Sequence, residues 1–216
     1  MHVLTDNAGL LARAFGTTLL LSAGGGGIAA FLGVLIGVAR MSPVPLLRRV
    51  GAIYVEIIRN TPLTVVFFVI VFVLPQIGLS PPSYVVAAIL ALGLYTAAFV
   101  AEALRAGVCT VGRGQAEAAR ALGVSFLEQM RFIIVPQAVR AVVPPLANVW
   151  IALVKNTSIA AGFGVLELTA SGQRINFSDP AAVISALLWI AVAYLVITLG
   201  SAFGFRRLEH RLAAAR

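Results

Sequence analysis

The sequence predicts an all-α integral membrane protein with five transmembrane helices, and three observations carry that expectation. Of its 216 residues, 60% are apolar and 11% are charged, with a mean hydropathy of +1.00. A soluble domain carries roughly 25% charged residues. Charge is also absent over stretches as long as the ~20 residues a helix needs to cross hydrocarbon. Finally, the arginines gather in intervals that five spans would place on one side of a membrane.

The elements follow in order. Phe15 to Ala39 is an uninterrupted apolar run and gives the first span, 15–39. It is too long for the apolar core of a signal peptide and no basic segment precedes it, so it reads as a retained anchor. Gly24 to Gly27, Gly33 and Gly37 would weaken a helix in water but permit close helix contact in lipid. Asn60 to Ala101 holds no charge, yet Pro75, Gly78, Pro81 and Pro82 divide it. It therefore gives spans two and three, 52–74 and 83–104, joined by a tight external turn. Pro62 frees a carbonyl in the preceding turn and is expected to bend span two. Residues 136–158 give span four, with Arg140 near its start and Lys155 near its end, and 181–205 gives span five. The whole chain, 1–216, is one domain.

Arginine placement orients the spans. Arg40, Arg48 and Arg49 follow span one; Arg105, Arg113, Arg120 and Arg131 lie between spans three and four; Arg206, Arg207, Arg211 and Arg216 follow span five. The opposite side holds Arg13, Lys155 and Arg174, with Arg59 and Arg140 ambiguous. The positive-inside rule then gives an external N-terminus and a cytoplasmic C-terminus.

The charged interval 112–132 therefore faces the cytoplasm. From Gln115 to Leu122 the residues are good helix formers, Gly123 can end that helix, and Ser125 can cap a second one through Phe126, Leu127, Met130 and Phe132. Glu117 with Arg120 and Glu128 with Arg131 are spaced for pairing, while Ala118, Ala119 and Ala121 let another backbone approach. The expected product is a helical elbow on the membrane surface, suited to docking in a groove; resting on headgroups is the plainer alternative.

The same interval resembles the cytoplasmic coupling loop of ABC-importer permeases. That pattern is Glu-Ala-Ala, a Gly four residues after the second Ala, then Ile-x-Leu-Pro after nine more. Glu117, Ala118, Ala119, Gly123, Ile133 and Pro136 fall in register, and Val135 stands where Leu is usual. Arg59-Asn60-Thr61-Pro62-Leu63, preceded by Tyr54-Val55-Glu56, and the region around Lys155-Asn156-Thr157-Ser158 are similar to polar amino acid permeases. Tyr95 to Gly107, leading into Gly114-Gln115-Ala116-Glu117-Ala118-Ala119-Arg120, is similar to actinobacterial glutamate permeases. The resemblance implies the type I importer (MetI-like) permease fold in a bacterial cytoplasmic membrane. It also implies an importer of two permease subunits, a cytoplasmic ATPase dimer and an external substrate-binding protein. Glutamate is the implied cargo, with glutamine or another polar amino acid as alternatives. Glu117, Ala118, Ala119, Arg120, Gly123, Ile133 and Pro136 would couple to the ATPase.

Other chemistry lacks its residues. A P-loop needs lysine after a glycine-rich turn, and the single lysine, Lys155, has no such turn before it. ATP would then be used by the partner subunits, with no cofactor on this chain. His2, His210 and Cys109 supply neither a triad nor a zinc site, and Cys109 is expected to pack. A basic patch interleaved with aromatics, as nucleic acid would need, is missing. A membrane scaffold that recruits an ATPase without transporting remains the alternative class.

Ionisable residues within spans usually face a pathway or a partner. Lys155, Asn156, Thr157 and Ser158 would end span four as a cluster of donors fit for carboxylates, or Lys155 would snorkel to the outer interface. Arg59, Asn60 and Thr61 form the second pathway candidate, although Arg59 is also spaced to pair with Glu56, as Arg105 is with Glu102. Trp150, Trp189 and Tyr194 are expected to pack or anchor at the interface.

Overall fold

The first apolar run folds as α1, Ala8–Met41, reaching beyond both ends of the expected 15–39 in this computed structural model, which describes residues 5–214. His2 and Arg216 lie outside the described residues. Small residues line the inner face of α1 and let α4, Tyr84–Cys109, lie close along it. A Cβ on Gly33 would meet the Val100 Cβ at 2.5 Å, and one on Gly93 the Ile28 Cβ at 2.6 Å, so both positions need glycine.

The second span differs from the single helix expected over 52–74. Its residues form α2, Pro45–Arg59, and α3, Leu63–Gln76, which meet at 104°. The cause lies in three residues. Pro62 has no N–H and pushes Thr61 out of helical geometry, while Asn60 Nδ2 donates to the Glu56 carbonyl and the Thr61 hydroxyl to the Ile57 carbonyl, both at 2.7 Å. These side chains close the end of α2. A π-helical turn, Val69–Val73, widens α3. The chain then turns through Gly78, at φ +83°, and enters α4 with the Ser83 hydroxyl accepting from the Val86 N–H.

After α4 come α5, Arg113–Ala121, and α6, Phe126–Phe163. The expected second limb of the elbow is thus the opening of span four itself, and no break separates 112–132 from 136–158 at Pro136. A π turn, Met130–Ile134, carries the helix up to Pro136, which sits in the first turn of the α-helical stretch Val135–Asn156 and needs no N–H there. The end of α6, Thr157–Phe163, tightens to 3-10 geometry before Gly164 turns the chain at φ +81°. A short α7, Leu168–Ser178, precedes α8, Val183–Ala214, which runs on through Arg206, Arg207 and Arg211.

Two apolar clusters bind these helices. Leu21, Phe67, Leu92 and Leu153 join α1, α3, α4 and α6. Ala14, Val154, Leu168 and Ile190 join α1, α6, α7 and α8. Phe163 adds a ring cluster, stacking on Phe67 at 4.9 Å and meeting Phe68 edge-on at 5.2 Å.

Candidate functional site

The elbow is assembled from local signals. Gly123 adopts φ +78°, and the Gly123 and Val124 N–H groups close the last carbonyls of α5 at 3.0 Å each. Ser125 and Glu128 form a reciprocal capping box. The Ser125 hydroxyl and N–H hold the Glu128 carboxyl below its usual range. Ala119 is buried between the limbs, whereas Glu117, Ala118, Arg120 and Gly123 are exposed, as are Leu122, Phe126 and Leu127 at 83%, 71% and 78%. Ile133 is half-buried and Pro136 exposed on α6. The result is a fixed knob with an uncovered apolar tip.

Two residues that sequence reasoning missed fasten this knob. Gln129, 4% exposed, donates from Nε2 to the Ala116 carbonyl, and Gln137 Nε2 donates to Gln115 Oε1 at 2.6 Å. Neither expected surface ion pair forms: Glu128 is held by Ser125, Arg131 lies over the Phe132 ring, and Glu117 and Arg120 make no ion pair among the described residues. Cys109, expected to pack, is exposed, with Arg105 Nη1 at 3.7 Å from its sulfur.

The second constellation lies at the bend between α2 and α3. Arg59 does not pair with Glu56, which is exposed; its guanidinium turns instead to Glu102 on α4 at 3.7 Å and lies 5.6 Å from the Phe99 ring centroid. Glu102 also takes Arg105 at 2.5 Å, as the spacing predicts, and Arg40 from α1. One carboxylate therefore gathers cations from three helices. Next to it, Phe99, Tyr95 and Thr96 of α4 face Asn148, Ala152 and Asn156 of α6 across an open cavity of about 340 Å³.

The structure divides the Lys155 to Ser158 cluster. Asn156 lines the cavity. Lys155 is exposed and outside that lining, while the Thr157 and Ser158 hydroxyls donate to the Val154 and Lys155 carbonyls at 2.7 and 2.8 Å. Thr157 is fully buried and lies 3.5 Å from the Tyr194 hydroxyl. That hydroxyl donates at 2.7 Å to Glu167, a fully buried carboxylate that also accepts from the Ala170 N–H at the start of α7. Tyr194 thus serves a polar network inside the bundle and not an interface. A lone acid between two apolar stretches was the available signal for Glu167. Trp150 ties α6 to α8 through the Ser201 hydroxyl at 3.0 Å.

Comparison with known proteins bears on this arrangement. Residues 29–214 match the family model described as the binding-protein-dependent transport system inner membrane component. The chain is 39% identical over 212 residues to the probable glutamine ABC transporter permease protein GlnM of Bacillus subtilis (strain 168), covering 98% of this chain and 97% of that one. It is 41% identical over 198 residues to the glutamate transport system permease protein GluC of Corynebacterium efficiens, covering 86% of each. Among solved structures, it matches a chain in the crystal structure of an amino acid ABC transporter with histidines at TM-score 0.88 and 32% identity, over 97% of each chain. A chain of the MetNI methionine ABC transporter in an inward-facing form matches at TM-score 0.78 and 21% identity, over 96% of this chain and 98% of that one, a likeness of fold.

Proposed function

The chain belongs to the family of inner membrane components of binding-protein-dependent transport systems, and from that premise we propose that it is the membrane subunit of an ATP-driven amino acid importer. The cargo is a polar amino acid, glutamate in the first instance. Glutamine is the alternative, because relatives named for each are about equally similar. The observation that carries the proposal is the elbow, whose tip exposes Leu122, Phe126 and Leu127 on limbs joined by Gln129, the second of them started by the capping box. A rigid apolar knob of this kind transmits motion from a partner that covers it.

That partner is a cytoplasmic ATPase dimer, which hydrolyses the ATP. Ala118, Glu117 and Arg120 face it, while Ala119, Gly123, Ile133 and Pro136 shape the knob that it grips. Arginine placement supports a cytoplasmic elbow and C-terminus with the N-terminus outside. A second permease subunit, identical or homologous, completes the pathway, and an external binding protein delivers the solute. The route runs past the cavity of Asn148 and Asn156, with Lys155 on its outer side and Arg59, Asn60 and Thr61 at the bend. The test is reconstitution with the ATPase and binding protein in proteoliposomes. ATP-dependent, receptor-dependent uptake of glutamate or glutamine supports the reading; association with an ATPase without uptake of any amino acid makes the chain a scaffold.

A further inference from the structure

We propose that Glu102 is a resident stand-in for a carboxylate of the transported solute: Arg59 rests against Glu102 when the route is empty and exchanges it for the solute's carboxylate when the route is filled. This rests on the importer reading above. Its chemistry begins with charge, since one carboxylate faces three guanidiniums and leaves two positive charges in excess. The three grips are unequal. Arg40 and Arg105 hold Glu102 at hydrogen-bonding distance, whereas Arg59, at 3.7 Å, lies beyond it. Glu102 would therefore keep two partners if Arg59 left.

Arg59 is also the cation placed to leave. Its side chain is 43% exposed against 13% for Arg40; Arg105, 39% exposed, is tied to Glu102 by a hydrogen bond that Arg59 lacks, and the Arg59 guanidinium lies over Phe99, whose ring is a wall of the cavity that holds Asn148 and Asn156. Asn60 and Thr61 carry no charge, and each commits a donor to a carbonyl of α2. An amino acid in the cavity, held by amides at one end, would present its carboxylate toward the guanidinium that Glu102 holds loosely. Arginine suits this exchange because it pairs with carboxylates in a planar, charge-assisted geometry.

The test is equilibrium binding of labelled glutamate and of labelled glutamine to the assembled permease and ATPase without the binding protein, in the wild type and in Arg59→Gln, Glu102→Gln and Glu102→Asp. Arg59→Gln should weaken binding about tenfold or more, the range of a charge-assisted hydrogen bond. Both Glu102 variants should tighten it, because the competitor is removed or drawn back. Glu102→Asp keeps the charge for Arg40 and Arg105 should the Gln form fail to assemble. An equal loss for both amino acids on Arg59→Gln assigns the α-carboxylate, and a loss for glutamate alone assigns the side chain. The proposal is overturned if the Glu102 variants weaken binding as Arg59→Gln does, if Arg59→Gln changes nothing, or if the wild type binds neither amino acid at millimolar concentration. Wild-type uptake with the binding protein separates such failures from failure of the importer reading itself.

Discussion

The elbow and the bend at Arg59 are both departures from straight helices, yet they are held in opposite ways. The elbow is stabilised from within, by a capping box, a left-handed glycine and a glutamine reaching back thirteen residues to the first limb, and it leaves its apolar tip uncovered. The bend has local caps of its own in Asn60 and Thr61, but its angle is held from outside, by Glu102 on another helix and by close seating of α2 on α1 and α4. A knob held by its own bonds can be moved as a body, whereas a bend held by its neighbours changes when they move. The difference fits a part that receives force and a part that responds to it.

Breaking the bend's outside support should have the largest effect. A Cβ on Gly51 would stand 2.7 Å from Arg40 Cγ, 3.2 Å from the Ile36 carbonyl oxygen and 3.3 Å from the Arg40 nitrogen, so backbone atoms block any relief. Gly51→Leu should lever α2 off α1, with about 1–3 kcal/mol of overpacking strain. Both the thermal unfolding temperature and uptake should fall. An unchanged unfolding temperature would show that α2 is not seated by its neighbours.

The elbow should behave differently when its exposed surface is changed. Ala118 is exposed on a surface helix, so Ala118→Arg should leave stability within about 0.5 kcal/mol. Uptake should nevertheless fall at least about tenfold, with loss of ATPase from the purified assembly, the size of effect expected when a central contact is displaced. Retention of both would mean that the knob is not gripped at this face.

The two regions were unequally legible in the sequence for the same physical reason. Gly123 and Ser125 act on backbone groups within four residues, and their chemistry fixes the turn and the cap wherever the chain goes. The carboxylate of Glu102 collects Arg40 and Arg59 from 62 and 43 positions away, and no spacing rule reaches them. Spacing alone proposed four pairs three residues apart, of which Glu102 with Arg105 forms. An exposed pair on a helix gains only a few tenths of a kcal/mol, so Glu128 turns to its cap and Arg59 to a better partner. Pro62 signalled a bend but not its 104°, because the angle is set by where α2 and α3 pack. Pro136 suggested a boundary that the π turn before it removes. The burial of Glu167 follows from the meeting of α1, α6, α7 and α8, which is a property of the fold and not of its neighbours in the chain.

Loss of the cap is a smaller, local change. Ser125→Ala should remove about 1 kcal/mol from the elbow, seen as faster amide exchange across Ser125 to Gln129 with no change at Asn60 to Leu63. If exchange rises equally at the bend, the two regions are one cooperative unit and the contrast between them fails.

The smallest expected effect is the pH dependence of that same cap. Ser125 holds the Glu128 carboxyl below its usual range, so the charged form is the one the folded elbow favours. A carboxyl lowered in this way contributes stability that is complete above its unfolded value and is lost as pH falls through its folded value. Elbow amides, corrected for intrinsic exchange, should therefore lose protection as the pH drops through and below the ordinary carboxylate range. Ser125→Ala should flatten that dependence, because the donor that distinguishes the folded from the unfolded carboxyl is gone. A wild-type elbow whose protection ignores pH across this window would mean that Glu128 is not in the box, and the claim that the knob is braced from within would rest on Gln129 and Gly123 alone.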